Sequence, residues 1–169
     1  TLDGSSATLT GFATTNGITE ADQWRLSTSF TGDASPISSN LERVDTNSPG
    51  LIGTGMTESS GIFTFPSTGI YLVTFTVLFN QTSSDNSIEG AILLTTNNSS
   101  YSYAAIVRLS LSGSTGENVQ GTTSSLVDVT DTSNVKVRFD IASNAGNNNV
   151  RGGSTYNETH MTFIRLGDT

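Results

Sequence analysis

Residues 61–79 carry the clearest pattern of apolar and polar positions in the chain. Two apolar-rich runs, residues 61–65 and 70–79, are joined by a Pro-Ser-Thr-Gly segment, which predicts two strands separated by a turn. The second run is apolar on both of its faces. One face carries Tyr71, Val73, Phe75, Val77 and Phe79, and the other carries Ile70, Leu72 and Leu78, with Thr74 and Thr76 between them.

A strand of an antiparallel sheet normally turns one face to the core and the other to water. The pattern of residues 70–79 therefore predicts a second partner for this strand. In a chain of 169 residues we expect that partner to be another copy of the same chain.

Further short runs of strand-forming residues follow one another with turn signals between them. They are residues 24–30, 41–44, 51–56, 88–94, 101–111, 122–129, 135–141 and 160–166. About ten short strands without a helical period predict one antiparallel β-sandwich or jelly roll. Residues 1–22 are polar with few apolar anchors, so we expect an N-terminal arm or linker at 1–22 and the folded head at 23–169.

Composition removes several classes of function. The formal charge is -8 and only Lys136 is a lysine, which disfavours nucleic-acid binding because a phosphate backbone needs a clustered basic surface. No apolar run is long enough for a membrane-spanning helix, so we expect no membrane insertion. The chain has no cysteine, and stability must come from packing and association.

One array of residues resembles a known family. The pattern Gly61-x-Phe63-Thr64-x-Pro66-x-x-Gly69-x-Tyr71-x-x-x-Phe75 is similar to the strand-turn-strand signature of C1q/TNF-like globular heads. The closing strand at residues 161–166 and the strand pair at 126–129 and 135–139 are similar as well. Phe65 stands where many complement-type members have cysteine, and no collagen-like repeat precedes the head. The resemblance implies a ten-stranded jelly roll that assembles as a homotrimer.

Aromatic residues are enriched at the cores of interfaces, so Tyr71, Phe75, Phe79 and Phe163 are the predicted trimer-interface residues. Burying one large apolar side chain contributes about 1.5–3 kcal/mol, so a few contacts repeated three times would hold a trimer together. The alternative is that these aromatic side chains fill only the core of their own chain.

Catalytic chemistry has little support in the sequence, and we expect no enzyme activity and no catalytic residues. His160 is the only histidine, and no cysteine is present to complete a metal site with it. Calcium is the one cofactor considered, because turns carry carboxylate and amide oxygens. Its candidate ligands are Asp85, Asn86, Glu89, Asp131 and Asn134, although such residues in turns commonly satisfy backbone groups instead.

The function predicted from the sequence is a non-enzymatic trimeric binding module. A Ser/Thr/Asn/Gly-rich texture and an acidic surface almost free of lysine favour a bacteriophage virion protein, either a tail-fibre head or a capsid decoration protein. The N-terminal arm would bind other virion proteins, and loops at Asp85, Asn97, Asn147 and Arg151 would face a host receptor or glycan. The alternatives are a secreted C1q/TNF-like ligand and a lectin-like carbohydrate-binding domain.

Overall fold

The computed structural model describes residues 17–47, 49–82, 86–112, 114–144 and 147–169, and these form twelve strands. The strands are β1 (Ala21–Leu26), β2 (Phe30–Thr31), β3 (Leu41–Arg43), β4 (Thr57–Ser59), β5 (Ile62–Thr64), β6 (Gly69–Asn80), β7 (Ser87–Thr95), β8 (Ser102–Ser110), β9 (Asn118–Val129), β10 (Lys136–Ser143), β11 (Asn149–Val150) and β12 (His160–Gly167). The all-β prediction is confirmed. The count differs from ten because the sequence patterns predict neither β2, β4 nor β11. The predicted strand at residues 51–56 is wrong, since Ile52 forms only an isolated bridge there.

Two antiparallel sheets form the sandwich. In the seven-stranded sheet, β6 lies between β9 on one side and β12 on the other, and β1 and β3 follow β12. The last residues of β6 pair with β11, which pairs with β2. The five-stranded sheet has the order β4-β5-β10-β7-β8. Strand β1 begins, and strand β12 ends, at the end of the sandwich where β6 begins. We call this the near end and the opposite end the far end.

An aromatic cluster fills the space between the sheets. The Phe63 ring lies 5.4 Å from that of Trp24, 5.5 Å from that of Phe139 and 5.3 Å from that of Phe163. The rings of Phe75 and Phe139 are 5.0 Å apart. Such tilted and edge-on pairs add about 0.5–1.5 kcal/mol each to the free energy of area burial. The five strands that supply these rings are therefore held to one another across the sandwich.

The sheet begins earlier than the predicted boundary at residue 23. Strand β1 starts at Ala21, and the Asp22 side chain points into the sandwich, where it is buried. Its carboxylate accepts hydrogen bonds from the Trp24 indole at 2.8 Å, the Met56 backbone N–H at 2.7 Å and the Arg43 guanidinium at 3.0 Å. Of the predicted arm, residues 1–16 lie outside the described residues. No helix in the described part of the chain is long and apolar enough to cross a membrane.

Candidate interaction surface

The surface of the seven-stranded sheet that faces away from the sandwich is built from residues that alternate with the core residues. Strand register aligns these side chains in rows across β1, β12, β6 and β9. The apolar row is Ala21, Ile164, Leu72 and Leu126; the hydroxyl row is Gln23, Thr162, Thr74 and Ser124; the third row is Arg25, His160, Thr76 and Thr122. We call this surface the outer face.

The apolar row lies towards the near end. The Leu126 side chain is 66% exposed, although it sits in the middle of regular β-structure. Leu72 and Ile164 beside it are half-buried. Ile52, which is joined to Ala21 by two backbone hydrogen bonds, is 45% exposed at the side of the row. The row therefore forms an apolar strip that stays partly exposed among the residues that the structure describes.

Neighbouring side chains hold the polar rows in place. The Thr76 and Thr122 hydroxyls are 2.9 Å apart across β6 and β9. The Gln23 amide donates to the Thr162 hydroxyl at 3.2 Å and accepts from the Asn157 amide at 3.3 Å. These contacts satisfy hydroxyl and amide groups within the sheet surface. The outer face can therefore be covered with a smaller desolvation cost than a surface of free polar groups would carry.

Arg25 closes the outer face on the side of β3. Its guanidinium is buried, and it donates to Glu42 at 2.7 Å, Asp45 at 2.8 Å and the Thr46 hydroxyl at 2.9 Å. An open cleft of about 400 Å³ lies next to it, and its lining includes Gln23 and Arg25 of β1, Val44, Thr46 and residues 155–157. Residues of the β3 side and residues 155–157 therefore border the outer face on one side. On the other side the sheet ends with β9, which is open.

His160 lies within the outer face. Register places it opposite Thr76 on β6 and opposite Arg25 on β1. Its side chain is half-buried, and Nδ1 lies 3.4 Å from the Glu158 carbonyl oxygen. Burial lowers the pKa of His160, and the contact with the Glu158 carbonyl opposes that shift weakly. This is the environment of a neutral imidazole, with no nucleophile or carboxylate among its described hydrogen-bond partners.

The open side of the sandwich is formed by two edge strands, β8 and β9, one from each sheet. Each of them pairs with one neighbour, β7 for β8 and β6 for β9. The two strands approach closely at Gly121, where a Cβ would lie 2.7 Å from Val107 and 3.0 Å from Leu109. Half-buried apolar side chains therefore line this side, which we call the edge surface.

Comparison with known proteins bears on the fold. No family model and no curated protein matches the sequence. Among solved structures, murine APRIL at pH 5.0 aligns with a TM-score of 0.64 and 12% identity, over 87% of this chain and 98% of that one. An Eiger TNF from S. frugiperda aligns with a TM-score of 0.66 and 13% identity, over 88% of this chain and 93% of that one.

The fold is that of a TNF-type jelly roll. At this level of identity the similarity concerns the fold, and the predicted jelly roll of C1q/TNF type is confirmed.

The structure changes the predicted trimer interface. Tyr71, Phe75, Phe79 and Phe163 are at most 1% exposed, and all four belong to the core of a single chain. The Tyr71 hydroxyl donates to the Ser67 carbonyl at 3.1 Å, and burial raises its pKa. Side chains covered by their own chain are not available to a second copy, so this assignment is corrected. The opposite face of β6, which carries Leu72, is the one that the core of the single chain does not use.

Part of the outer face can be predicted from the sequence, but the aromatic residues led the predicted interface to the other face of β6. Leu72 and Ile164 alternate with core residues, and their positions on that face follow from the two-sided apolar pattern of their strands. On its own face of β9, Leu126 has the polar Ser124 and Asp128 as neighbours, so the local pattern predicts no apolar row there. Only the register with Leu72 shows that it extends the apolar row.

Most of the proposed calcium ligands already have partners. The Asp131 carboxylate accepts hydrogen bonds from the Ser133 N–H and the Asn134 amide, both at 2.7 Å, and these bonds lower its pKa. Glu89 forms an ion pair with Arg108 at 2.7 Å. The Asn86 amide oxygen is 3.4 Å from the Asn144 amide nitrogen.

Asp85 lies outside the described residues. Within the described ranges, no three His, Cys, Asp or Glu residues are grouped as metal ligands would be. Calcium binding stays a prediction.

The loops predicted to face a receptor do not share one end of the molecule. Asn97 lies in the turn between β7 and β8 at the near end, where its side-chain oxygen accepts from the Ser99 and Ser100 N–H groups at 3.0 Å. Asn147 lies at the far end, where its carbonyl accepts from Thr82. Arg151 follows β11 and is 3.5 Å from Glu158. A single receptor-facing end therefore cannot include both Asn97 and Asn147.

Proposed function

We propose that this protein is a non-enzymatic, homotrimeric binding head. The observation that carries the proposal is the outer face, which presents an apolar strip and fixed hydroxyls on a sheet whose inner side is already filled by the core. An exposed contiguous apolar surface of this kind marks an interaction site in a folded domain. A second copy is the partner that the fold itself suggests.

The two unpartnered surfaces fit a ring. A cyclic trimer needs a heterologous contact, in which one patch of a subunit meets a different patch of the next. The outer face supplies one patch and the edge surface along β8 and β9 supplies the other. Leu126 lies on β9, where these two patches adjoin, so it would be covered from both directions.

Replacing Leu126 by glutamate tests this arrangement. Because Leu126 is 66% exposed in one chain, Leu126→Glu should leave the fold intact, but it would place three carboxylates in the trimer contacts. We expect the variant to be monomeric at concentrations where the parent is trimeric, with an unchanged circular dichroism spectrum.

Thr57→Glu is the control, since Thr57 is exposed on β4, the strand at the opposite edge of the five-stranded sheet from β8, and belongs to neither patch. It should remain trimeric. A trimeric Leu126→Glu protein, or a monomeric parent, would contradict the proposed interface.

For the biological setting, we propose a virion surface protein, a tail-fibre head or a decoration protein, anchored by the segment that precedes β1. The support is compositional: one lysine, a net charge of -8 and a Ser/Thr/Asn/Gly-rich texture. Attachment through the segment before β1 would place the near end towards the particle. Loops of the far end, including Asn147, would then meet a host receptor or glycan, and Asn97 would face the particle.

The second setting is a secreted, cytokine-like ligand, which is favoured by the fold shared with APRIL and a TNF. The genes that flank the coding sequence separate the two settings. Portal, capsid or tail genes next to it would support the virion protein. A secretory leader encoded upstream in the same reading frame would support the ligand.

A further inference from the structure

We propose that His160 makes the trimer contact pH-dependent, so that acid weakens assembly through this one residue. The inference rests on the proposed function, because it needs the outer face to be the surface where subunits meet. It concerns the regulation of that contact.

The geometry places His160 inside the contact. It lies on β12, which has β6 on one side and β1 on the other, so a subunit packed on the outer face would cover it. The side chain is already half-buried in one chain, between Thr76 and Arg25. Covering would remove the remaining water from the imidazole, which disfavours the charged form.

The charged groups around His160 do not favour a second positive charge. On β1 its neighbour is Arg25, whose charge is balanced by Glu42 and Asp45. Before β12, Glu158 is paired with Arg151. On β6 and β9 the facing residues are Thr76 and Thr122, which carry no charge. The nearby carboxylates are thus each occupied by an arginine.

The edge surface that would cover His160 carries few charges. On β8, Arg108 is paired with Glu89. On β9, Asp128 lies opposite Ile70, six residues along β6 from the position of His160. Neither strand brings an unpaired carboxylate to the middle of the outer face from its described residues. Protonation of His160 would therefore find no matched negative charge in the contact.

The direction of the pH effect follows from linkage. Burial in a single chain already lowers the pKa of His160, and covering by a second subunit would lower it further. The separated chains would then bind more protons than the trimer, so assembly is fully favourable above the pKa of the separated chain and weakens as the pH falls from that pKa towards the lower pKa in the trimer. The acidic surface acts in the opposite direction, because protonating carboxylates reduces the self-repulsion of a chain with charge -8.

The test compares the parent with His160→Gln, which keeps a polar side chain and cannot gain a proton. Sedimentation velocity at pH 7.5 and pH 5.0 should show the apparent trimer dissociation constant of the parent rising by about tenfold or more in acid. His160→Gln should be trimeric at both pH values and should change less than the parent. An equal change of the dissociation constant with pH in the parent and in His160→Gln, or a larger loss in His160→Gln, would overturn the proposal.

A second readout uses the fact that His160 is the only histidine. Its ring protons give one titration curve by NMR, in the trimer and in monomeric Leu126→Glu. The pKa should be lower in the trimer, and equal values would overturn the inference. A parent that is monomeric at pH 7.5 would instead defeat the proposed function itself, so the two failures are distinguishable.

Discussion

At the residue scale, a few buried polar side chains hold separate segments of the chain together, and Asp22 is the clearest example. Its carboxylate binds an indole, a backbone N–H and a guanidinium inside the sandwich. Alternation places Asp22 on the same face as Trp24 and Leu26, but an acidic residue at the end of a polar segment does not by itself indicate burial. Residue 22 was predicted to belong to the arm because residues 1–22 are polar with few apolar anchors.

Asp22→Ala should destabilise the protein by about 2–4 kcal/mol, because it leaves three donors of Trp24, Arg43 and Met56 without their acceptor. Urea unfolding followed by tryptophan fluorescence measures the change. Arg108→Ala is the matched control: it breaks an ion pair whose arginine side chain is 69% exposed, so its cost should stay below about 1 kcal/mol. Equal effects for the two variants would refute the structural role of Asp22.

At the element scale, the strands with strong alternation are those that the sequence predicts well. Residues 135–141 and 160–166 correspond to β10 and β12, and residues 70–80 correspond to β6. Strand β9 is four residues longer at its start than the predicted 122–129, because its polar first half is held by pairing with β6 rather than by its own pattern. Tertiary context determines strand length in such a segment.

Of the hairpin of β4 and β5, the sequence pattern predicts β5 within residues 61–65 but not β4. Its two-residue turn is Ser60-Gly61, with φ of 53° and 82°, which is the backbone of a type I′ turn. A Cβ on Gly61 would lie 2.3 Å from the Ile37 carbonyl oxygen. The turn therefore needs glycine for its conformation and also for the close approach of residues 36–37.

Gly61→Ala should lower the free energy of unfolding by about 2–4 kcal/mol, since strain at positive φ adds to a clash with backbone. Gly116→Ala provides the comparison. Gly116 has a similar φ of 89°, but a Cβ there meets nothing within 4 Å, so the cost should be about 1 kcal/mol. Chemical denaturation of both variants separates the strain at positive φ from the clash with residues 36–37. Equal stability of Gly61→Ala and Gly116→Ala would show that residues 36–37 move away without a loss of stability.

At the scale of the whole molecule, the doubly apolar strand led to the correct fold, but the aromatic face that was predicted to meet a second copy is buried in the core of its own chain. The pattern of residues 70–79 predicts that both faces of this strand are covered. Which of the two faces belongs to the core depends on the side on which the second sheet packs. Phe63, Phe139 and Phe163 complete that core from distant parts of the chain. The larger aromatic residues are used there, and the leucines and threonines of the outer face are left for a partner.

The solution mass of the protein shows directly whether it is a trimer. Light scattering at neutral pH should give three times the chain mass of 17.7 kDa over a range of micromolar concentrations. Repeating the measurement with a chelator tests the calcium prediction separately, because loss of the trimer would assign a structural role to the ion. A monodisperse monomer without chelator would contradict the account and leave the outer face of the seven-stranded sheet without a second copy.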